Sequence, residues 1–199
     1  MHTFADPLNR ARQQFPDRVG MVAGNVRLTY AETWSRCRRL AGALSQLGVE
    51  PGDRVAILAA NSHRYLEAYL AIPASARVLV PLNTRHSEPE LRYALEDSGA
   101  RVLIADRDPG ALAGAVERVI RIPDEYEALL AAAPEADLGV GLRGRRTVGT
   151  LLRGPGIFRA AMIPVVMVAR GGPVVRAAMG ARLARRGRTE PSTMPWSQA

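Results

Sequence analysis

Lysine is absent: all 27 cationic residues among the 199 are arginine. That excludes a lysine nucleophile, a lysine Schiff base and a phosphate-gripping ammonium from these residues. A single cysteine, Cys37, excludes an intrachain disulfide framework and a Cys-only zinc site. Histidine is almost as scarce, and His2, His63 and His86 are too scattered to suggest a His-rich metal site. Long apolar runs are missing as well. The longest charge-free run in the last part, residues 160–169 (AAMIPVVMVA), holds ten residues and contains Pro164, whereas a bilayer-spanning helix needs about 20. Asp6 stands where a secretory signal needs apolar residues. These absences predict a cytoplasmic protein without a membrane span.

Acidic residues are missing from one region only. Residues 1–140 carry 16 Arg against 18 Asp and Glu, whereas residues 141–199 carry 11 Arg against one acid, Glu190. Glycine is divided nine and nine although the second region is less than half as long, and only Phe158 and Trp196 of the ten aromatics lie in it. The division predicts a domain over 1–140 followed by a basic Arg/Gly-rich tail over 141–199.

The first region reads as strand and helix in alternation. Residues 18–29 form two short strands around Gly24-Asn25, residue types that tolerate turn backbone. Thr29 and Glu32 have the spacing of a capping box, and Trp34, Cys37, Ala41 and Leu44 recur at helical spacing, widened by Leu40 and Leu47. Gly48 ends that helix, and Pro51-Gly52-Asp53 turns the chain into an apolar strand at 55–58. Asn61 or Ser62 starts a second helix through Tyr65, Leu66, Tyr69 and Leu70. A strand follows at 78–82, where Pro81 marks an end or a sheet edge. Ser87 and Glu90 make another capping box before Leu91, Ala94 and Leu95; Gly99 closes that helix, and a third strand spans 102–105. Asp108-Pro109 opens a further helix towards 119, with a strand at 119–122 and a last helix at 124–133. Continuous apolar strands separated by helices predict an α/β fold, a mostly parallel sheet with helices on both faces.

Four pieces in fixed order then carry a resemblance: LTYAE at 28–32, GVEPGDRVAIL at 48–58, RVLVPLNTR at 77–85 and ELRYALEDSGARVLI at 90–104. Together they resemble the opening of AMP-forming acyl-CoA synthetases, the fatty-acid–CoA ligases of the adenylate-forming superfamily. The similarity covers about seven-tenths of this chain but only the beginning of such an enzyme. Ala76 departs from it, standing where that family often has glycine. The resemblance implies ATP, magnesium and coenzyme A as cofactors, and a reaction through acyl-AMP to acyl-CoA.

The family's chemistry follows this region, starting with a Ser/Thr/Gly-rich phosphate loop that ends in lysine. Beyond 140 the sequence offers only poor imitations: Thr147-Val148-Gly149-Thr150, Gly144-Arg145-Arg146, and Gly154-Pro155-Gly156, whose proline lacks an N–H. No catalytic, cofactor-binding or metal-binding residue is therefore carried over, and no cofactor is expected for these residues by themselves. The composition of 141–199 favours a reading frame truncated or shifted after about residue 140. A nucleic-acid-binding tail, a membrane-surface segment and a diverged extension stay open. Scarce aromatics and the lack of a recognised motif argue against nucleic acid. Loss of later segments predicts weak stability, self-association or rapid proteolysis, and any use of the family's function would come through a separate ligase chain that supplies the missing parts.

Individual residues get modest readings. Cys37 is expected as a buried core thiol, His63 as a solvated histidine, and Arg36, Arg38 and Arg39 as a solvated basic patch. Asn83-Thr84-Arg85 follows a strand end, where α/β folds bind ligands, but is read as a turn. Glu96-Asp97 resembles nothing catalytic.

Overall fold

The computed structural model describes residues 5–139. The expectations for residues 141–199 lie outside the described residues.

The chain opens with helix α1 (Asp6–Gln14), which the sequence reading does not contain. Its signal is weak because only Leu8 is buried. The Arg12 guanidinium lies 5.2 Å from the Trp34 ring centroid, docking α1 on the next helix. Strands β1 (Val19–Ala23) and β2 (Val26–Thr29) pair antiparallel around Gly24, whose φ of 58° makes the turn. Helix α2 (Tyr30–Gln46) starts on the expected reciprocal cap: the Glu32 N–H donates to Thr29 Oγ1 (3.1 Å), and the Thr29 N–H to Glu32 Oε2 (2.7 Å).

A four-stranded parallel sheet follows in the order β4-β3-β5-β6. Its strands are β3 (Arg54–Leu58), β4 (Val78–Pro81), β5 (Ala100–Ala105) and β6 (Arg118–Arg121). Pro81 sits at the end of β4, an edge strand, where its missing N–H costs no ladder bond. Helix α3 (His63–Ala74) links β3 to β4, and α4 (Glu88–Ser98) links β4 to β5. The chain then reaches β6 through a short 3-10 turn (Gly110–Ala115) and continues into helix α5 (Asp124–Ala132). The α-helix expected after Asp108-Pro109 is thus a 3-10 turn: Gly110 has a φ of 52° and Gly114 adds backbone freedom, so regular winding does not propagate.

Alternation along the strands makes two cores. Val55, Ile57, Leu79, Val102, Ile104 and Ile120 pack beneath α2, α3 and α5. Ala56, Leu58, Val80, Leu103 and Ala105 pack on the other face with Leu91, Leu95 and Leu112. Each fully buried Leu or Ile contributes about 1.5–3 kcal/mol, so apolar burial on both faces holds the sheet. The path from β3 to β4 runs one way across the sheet and the path from β4 to β5 runs back. Right-handed crossovers in opposite directions must use opposite faces, which is why α3 and α4 are separated by the sheet.

Candidate functional site

Open α/β sheets bind ligands outside the C-terminal strand ends, where the strand order reverses. Here that point lies between β3 and β5, between residues 59–62 and 106–108. Asp106 fills it. Its Oδ2 accepts the Ala60 N–H at 2.5 Å, its own N–H donates to the Leu58 carbonyl at 3.2 Å, and Oδ1 meets Arg107 Nε at 3.0 Å. A backbone N–H that could grip a phosphate is already held by a carboxylate, which repels phosphate. The neighbouring helix start is closed as well, because Ser62 Oγ accepts the Tyr65 N–H at 3.2 Å.

Asn83-Thr84-Arg85 forms a turn. Asn83 Oδ1 accepts the Arg85 N–H at 3.0 Å and the Asn83 carbonyl accepts the His86 N–H at 3.1 Å. Among the described residues no three His, Cys, Asp or Glu side chains converge to hold a metal ion. At these strand ends the Ala60, Arg85 and His86 N–H groups already have partners within the chain, so they offer no ready phosphate cradle.

The polar side chains do converge elsewhere, between α2, α3 and α5. Glu67 of α3 is fully buried. Arg36 of α2 donates to it from Nε (2.6 Å) and Nη2 (3.1 Å), and Tyr126 of α5 donates its hydroxyl at 2.9 Å. The same guanidinium grips both oxygens of Glu127 at 3.0 Å, and Arg64 Nε donates to Glu127 at 2.6 Å. Burial pushes the Arg36 pKa down, but the bonds and charges of Glu67 and Glu127 outweigh it and the net shift is upward. Glu127 mirrors this: burial raises its carboxyl, and Arg36 and Arg64 bring it below the ordinary range.

Two expectations are corrected by this cluster. Arg36 is not a solvated patch residue but the centre of an ion network. His63 is not solvated but buried, with Nε2 at 3.9 Å from Glu127 Oε1. The reason is distance along the chain: the partners of Arg36 lie 31 and 91 residues away. Cys37 is a buried core thiol, its pKa pushed up by burial and by the charge of Glu67.

Arg38 and Arg39 are not merely solvated either. Arg38 pairs with Glu135 (2.8 Å) and Asp137 (3.2 Å) and donates to the Ala136 carbonyl (2.9 Å); Arg39 lies 4.0 Å from Glu135. These contacts strap residues 133–139 along α2. The strap passes directly over Gly42, where a Cβ would collide with the Pro134 carbonyl, and ends with the Gly139 N–H on the Ala74 carbonyl at 2.7 Å.

Three further arginines, at the N-terminal ends of the strands, escaped sequence reasoning. Arg77 is buried and donates to the Val49 carbonyl (2.9 and 2.6 Å) and to Ser45 Oγ (2.9 Å); burial lowers its pKa. Arg54 donates to the Ser98 and Gly99 carbonyls. Arg101 joins Asp53 (2.6 Å) and Glu117 (2.7 Å). Arg77 and Arg54 thus satisfy carbonyls at or just beyond the C-terminal ends of α2 and α4, where positive charge is stabilising. A charge at the mouth of an apolar strand, as in Arg54 and Arg77, is the signal that could have found them. The cluster and these caps can orient helices; they present no nucleophile to a substrate.

Ala76 has a φ of 64°, in the left-handed region just past α3. The glycine expected there relieves backbone strain, rather than merely leaving packing space.

Comparison with known proteins supplies the assignment. The model of a family described as AMP-binding enzyme matches residues 8–142. A feruloyl-CoA synthase of an Amycolatopsis species is 43% identical over 139 residues, covering 68% of this chain and 28% of that protein. A long-chain-fatty-acid–CoA ligase of Thermus thermophilus is 40% identical over 112 residues, covering 56% and 21%. In these matches the chain spans about a quarter of the length of its curated relatives. Among solved structures, the N-terminal domain of FACL13 from Mycobacterium tuberculosis superposes with a TM-score of 0.65 at 29% identity, over 71% of this chain and 39% of that one. A benzoate CoA ligase of Burkholderia xenovorans gives 0.62 at 27% identity, over 71% and 30%. The parallel sheet flanked by helices is the N-terminal architecture of such enzymes, and the chain belongs to the AMP-binding enzymes, in the AMP-forming CoA ligase family.

Proposed function

We propose that residues 5–139 are the structural opening of a ligase that joins a carboxylic acid to coenzyme A through an acyl-AMP intermediate, and that the 199 residues by themselves do not adenylate. The observation that carries this reading is the family match over 8–142, which takes in all six strands and helices α2 to α5. ATP, magnesium and coenzyme A belong to the whole reaction. The described residues contribute the scaffold, because Asp106 occupies the strand-end crevice and the ion network faces α2, α3 and α5 instead of a substrate. The acid is a fatty or aryl carboxylate: the relatives' names range from feruloyl-CoA synthase to long-chain-fatty-acid–CoA ligase.

The test is ATP–pyrophosphate exchange by the purified chain with medium-chain, long-chain and aryl carboxylates, with and without a related full-length ligase. The chain alone should give no exchange above a control lacking the acid. Magnesium-dependent exchange by these 199 residues unaided overturns the proposal.

A second reading rests on one observation, the net charge of residues 141–199, with 11 Arg against Glu190. It makes the chain a non-catalytic interaction module for an acidic surface. A salt-sensitive shift of DNA on a gel would favour it.

A further inference from the structure

The exposed apolar residues are concentrated in one place. Of the five large apolar side chains exposed among the described residues, four fall between positions 15 and 26: Phe15 just after α1, Val19 and Val22 on β1, and Val26 on β2. Val22, directly across from Arg27, is 52% exposed. Single exposed apolar residues are ordinary, whereas a concentration of them marks a surface that meets something.

The same hairpin has an unguarded edge. Four described strands have an open side: β1 and β2 in the two-stranded sheet, and β4 and β6 at the ends of the four-stranded one. Native sheets blunt such edges with charge or proline. Strand β2 carries Arg27, β4 ends in Pro81, and β6 carries Arg118 and Arg121. Strand β1 (VGMVA) carries neither. Its bulge lies between Val19 and Met21, so residues 21–23 keep a regular register. In an antiparallel pair alternate residues turn their N–H and C=O away from the partner strand. Among the described residues no backbone hydrogen bond from outside the hairpin reaches 19–23.

The occupant follows from the superposition on FACL13. There, 71% of this chain accounts for only 39% of a solved N-terminal domain. A domain packs its elements around shared cores, so the other part of that domain must bury against the stretch matched here. We propose that the β1–β2 hairpin, with Phe15, is the seam for that part: the rest of a CoA-ligase N-terminal domain covers Val19, Val22 and Val26 and lies along the open edge of β1. The proposal rests on the ligase reading and adds the face at which the two parts join. A second copy of this chain fits the face less well. Residues 15–29 hold Arg18 and Arg27 against Asp17 alone, and a two-fold contact sets the same patch against itself, cation facing cation.

The probe is the Amycolatopsis feruloyl-CoA synthase lacking the stretch matched here, co-expressed with the full 199-residue chain. The wild-type chain should bring it into the soluble fraction and co-purify with it, and hydrogen exchange at peptides covering 15–29 should slow in the complex. Val19→Asp and Val22→Asp change exposed side chains, so both should fold as the wild type does by circular dichroism. Each should weaken the complex by about tenfold or more, the equivalent of one buried valine. The intact synthase, whose own opening occupies the seam, should not bind the chain. Association that survives both substitutions overturns the seam and leaves the ligase reading standing; a probe that stays insoluble or unbound with the wild-type chain overturns both. Unslowed exchange at 15–29 in the wild-type complex overturns the seam without recourse to the variants. Self-association of the chain alone that Val22→Asp abolishes gives the face to a second copy and overturns the proposal, as does equal binding of the intact synthase.

Discussion

Removing the carboxylate of Glu67 tests whether the helical layer depends on its ion network. Glu67 is fully buried and receives three hydrogen bonds: two from Arg36 at 2.6 and 3.1 Å and one from the Tyr126 hydroxyl at 2.9 Å. In Glu67→Ala the Tyr126 hydroxyl loses its partner inside the core, which costs about 1–3 kcal/mol. Breaking a buried ion pair by deleting one member costs about 3–5 kcal/mol in all. Arg36 keeps both oxygens of Glu127 and is partly exposed, so the lower end applies. We expect Glu67→Ala to lose about 3 kcal/mol, against a total stability of roughly 5–15 kcal/mol for a domain. Tyr126→Phe, which leaves the carboxylate paired with Arg36, should lose about 1 kcal/mol. In a cycle with Glu67→Gln the two sites should couple by about 0.5–3 kcal/mol, as touching residues do. Urea unfolding followed by circular dichroism reads the wild type and the four variants. A Glu67→Ala variant within about 0.5 kcal/mol of the wild type would refute the reasoning, since exposed pairs behave that way.

Two backbone predictions follow from the positions where a Cβ matters. Ala76→Gly should stabilise by about 0.5 kcal/mol, because relief of about 1–2 kcal/mol of left-handed strain is offset by about 0.4–1 kcal/mol of added unfolded-state entropy. Ala76→Val should destabilise, so thermal melts that rank Val above Gly would contradict the φ of 64°. Gly42→Ala improves helix propensity by about 1 kcal/mol yet drives a methyl into the Pro134 carbonyl. It should leave the melt nearly unchanged while raising proteolysis within 133–139, and an equally protected strap would refute the close approach.

Helix starts were legible because capping is local. Thr29 with Glu32 closes a reciprocal cap over three residues, Glu90 accepts both the N–H and the hydroxyl of Ser87, and Gly99 takes the left-handed conformation that ends α4. The strands were legible because covering both faces of a sheet demands continuous apolar runs. Helix α1 was not, since one buried leucine gives no period, and the 3-10 turn was misread because Pro109 signals a helix start that Gly110 then breaks. Within the polar cluster only Cys37 was placed correctly, from its position on the apolar stripe.

The sequence by itself thus determined the alternation of elements, their caps and the family resemblance, all interactions between residues near in the chain or repeated at a fixed period. Only the tertiary structure decided that Arg36, Glu67, Tyr126 and Glu127 form one network and that His63 is buried beside it. Only it decided that Asp106 takes the Ala60 N–H where the strand order reverses. Those outcomes depend on which helices the sheet brings to the same face, and a charge reads the same in sequence whether its partner is water or a carboxylate 91 residues away.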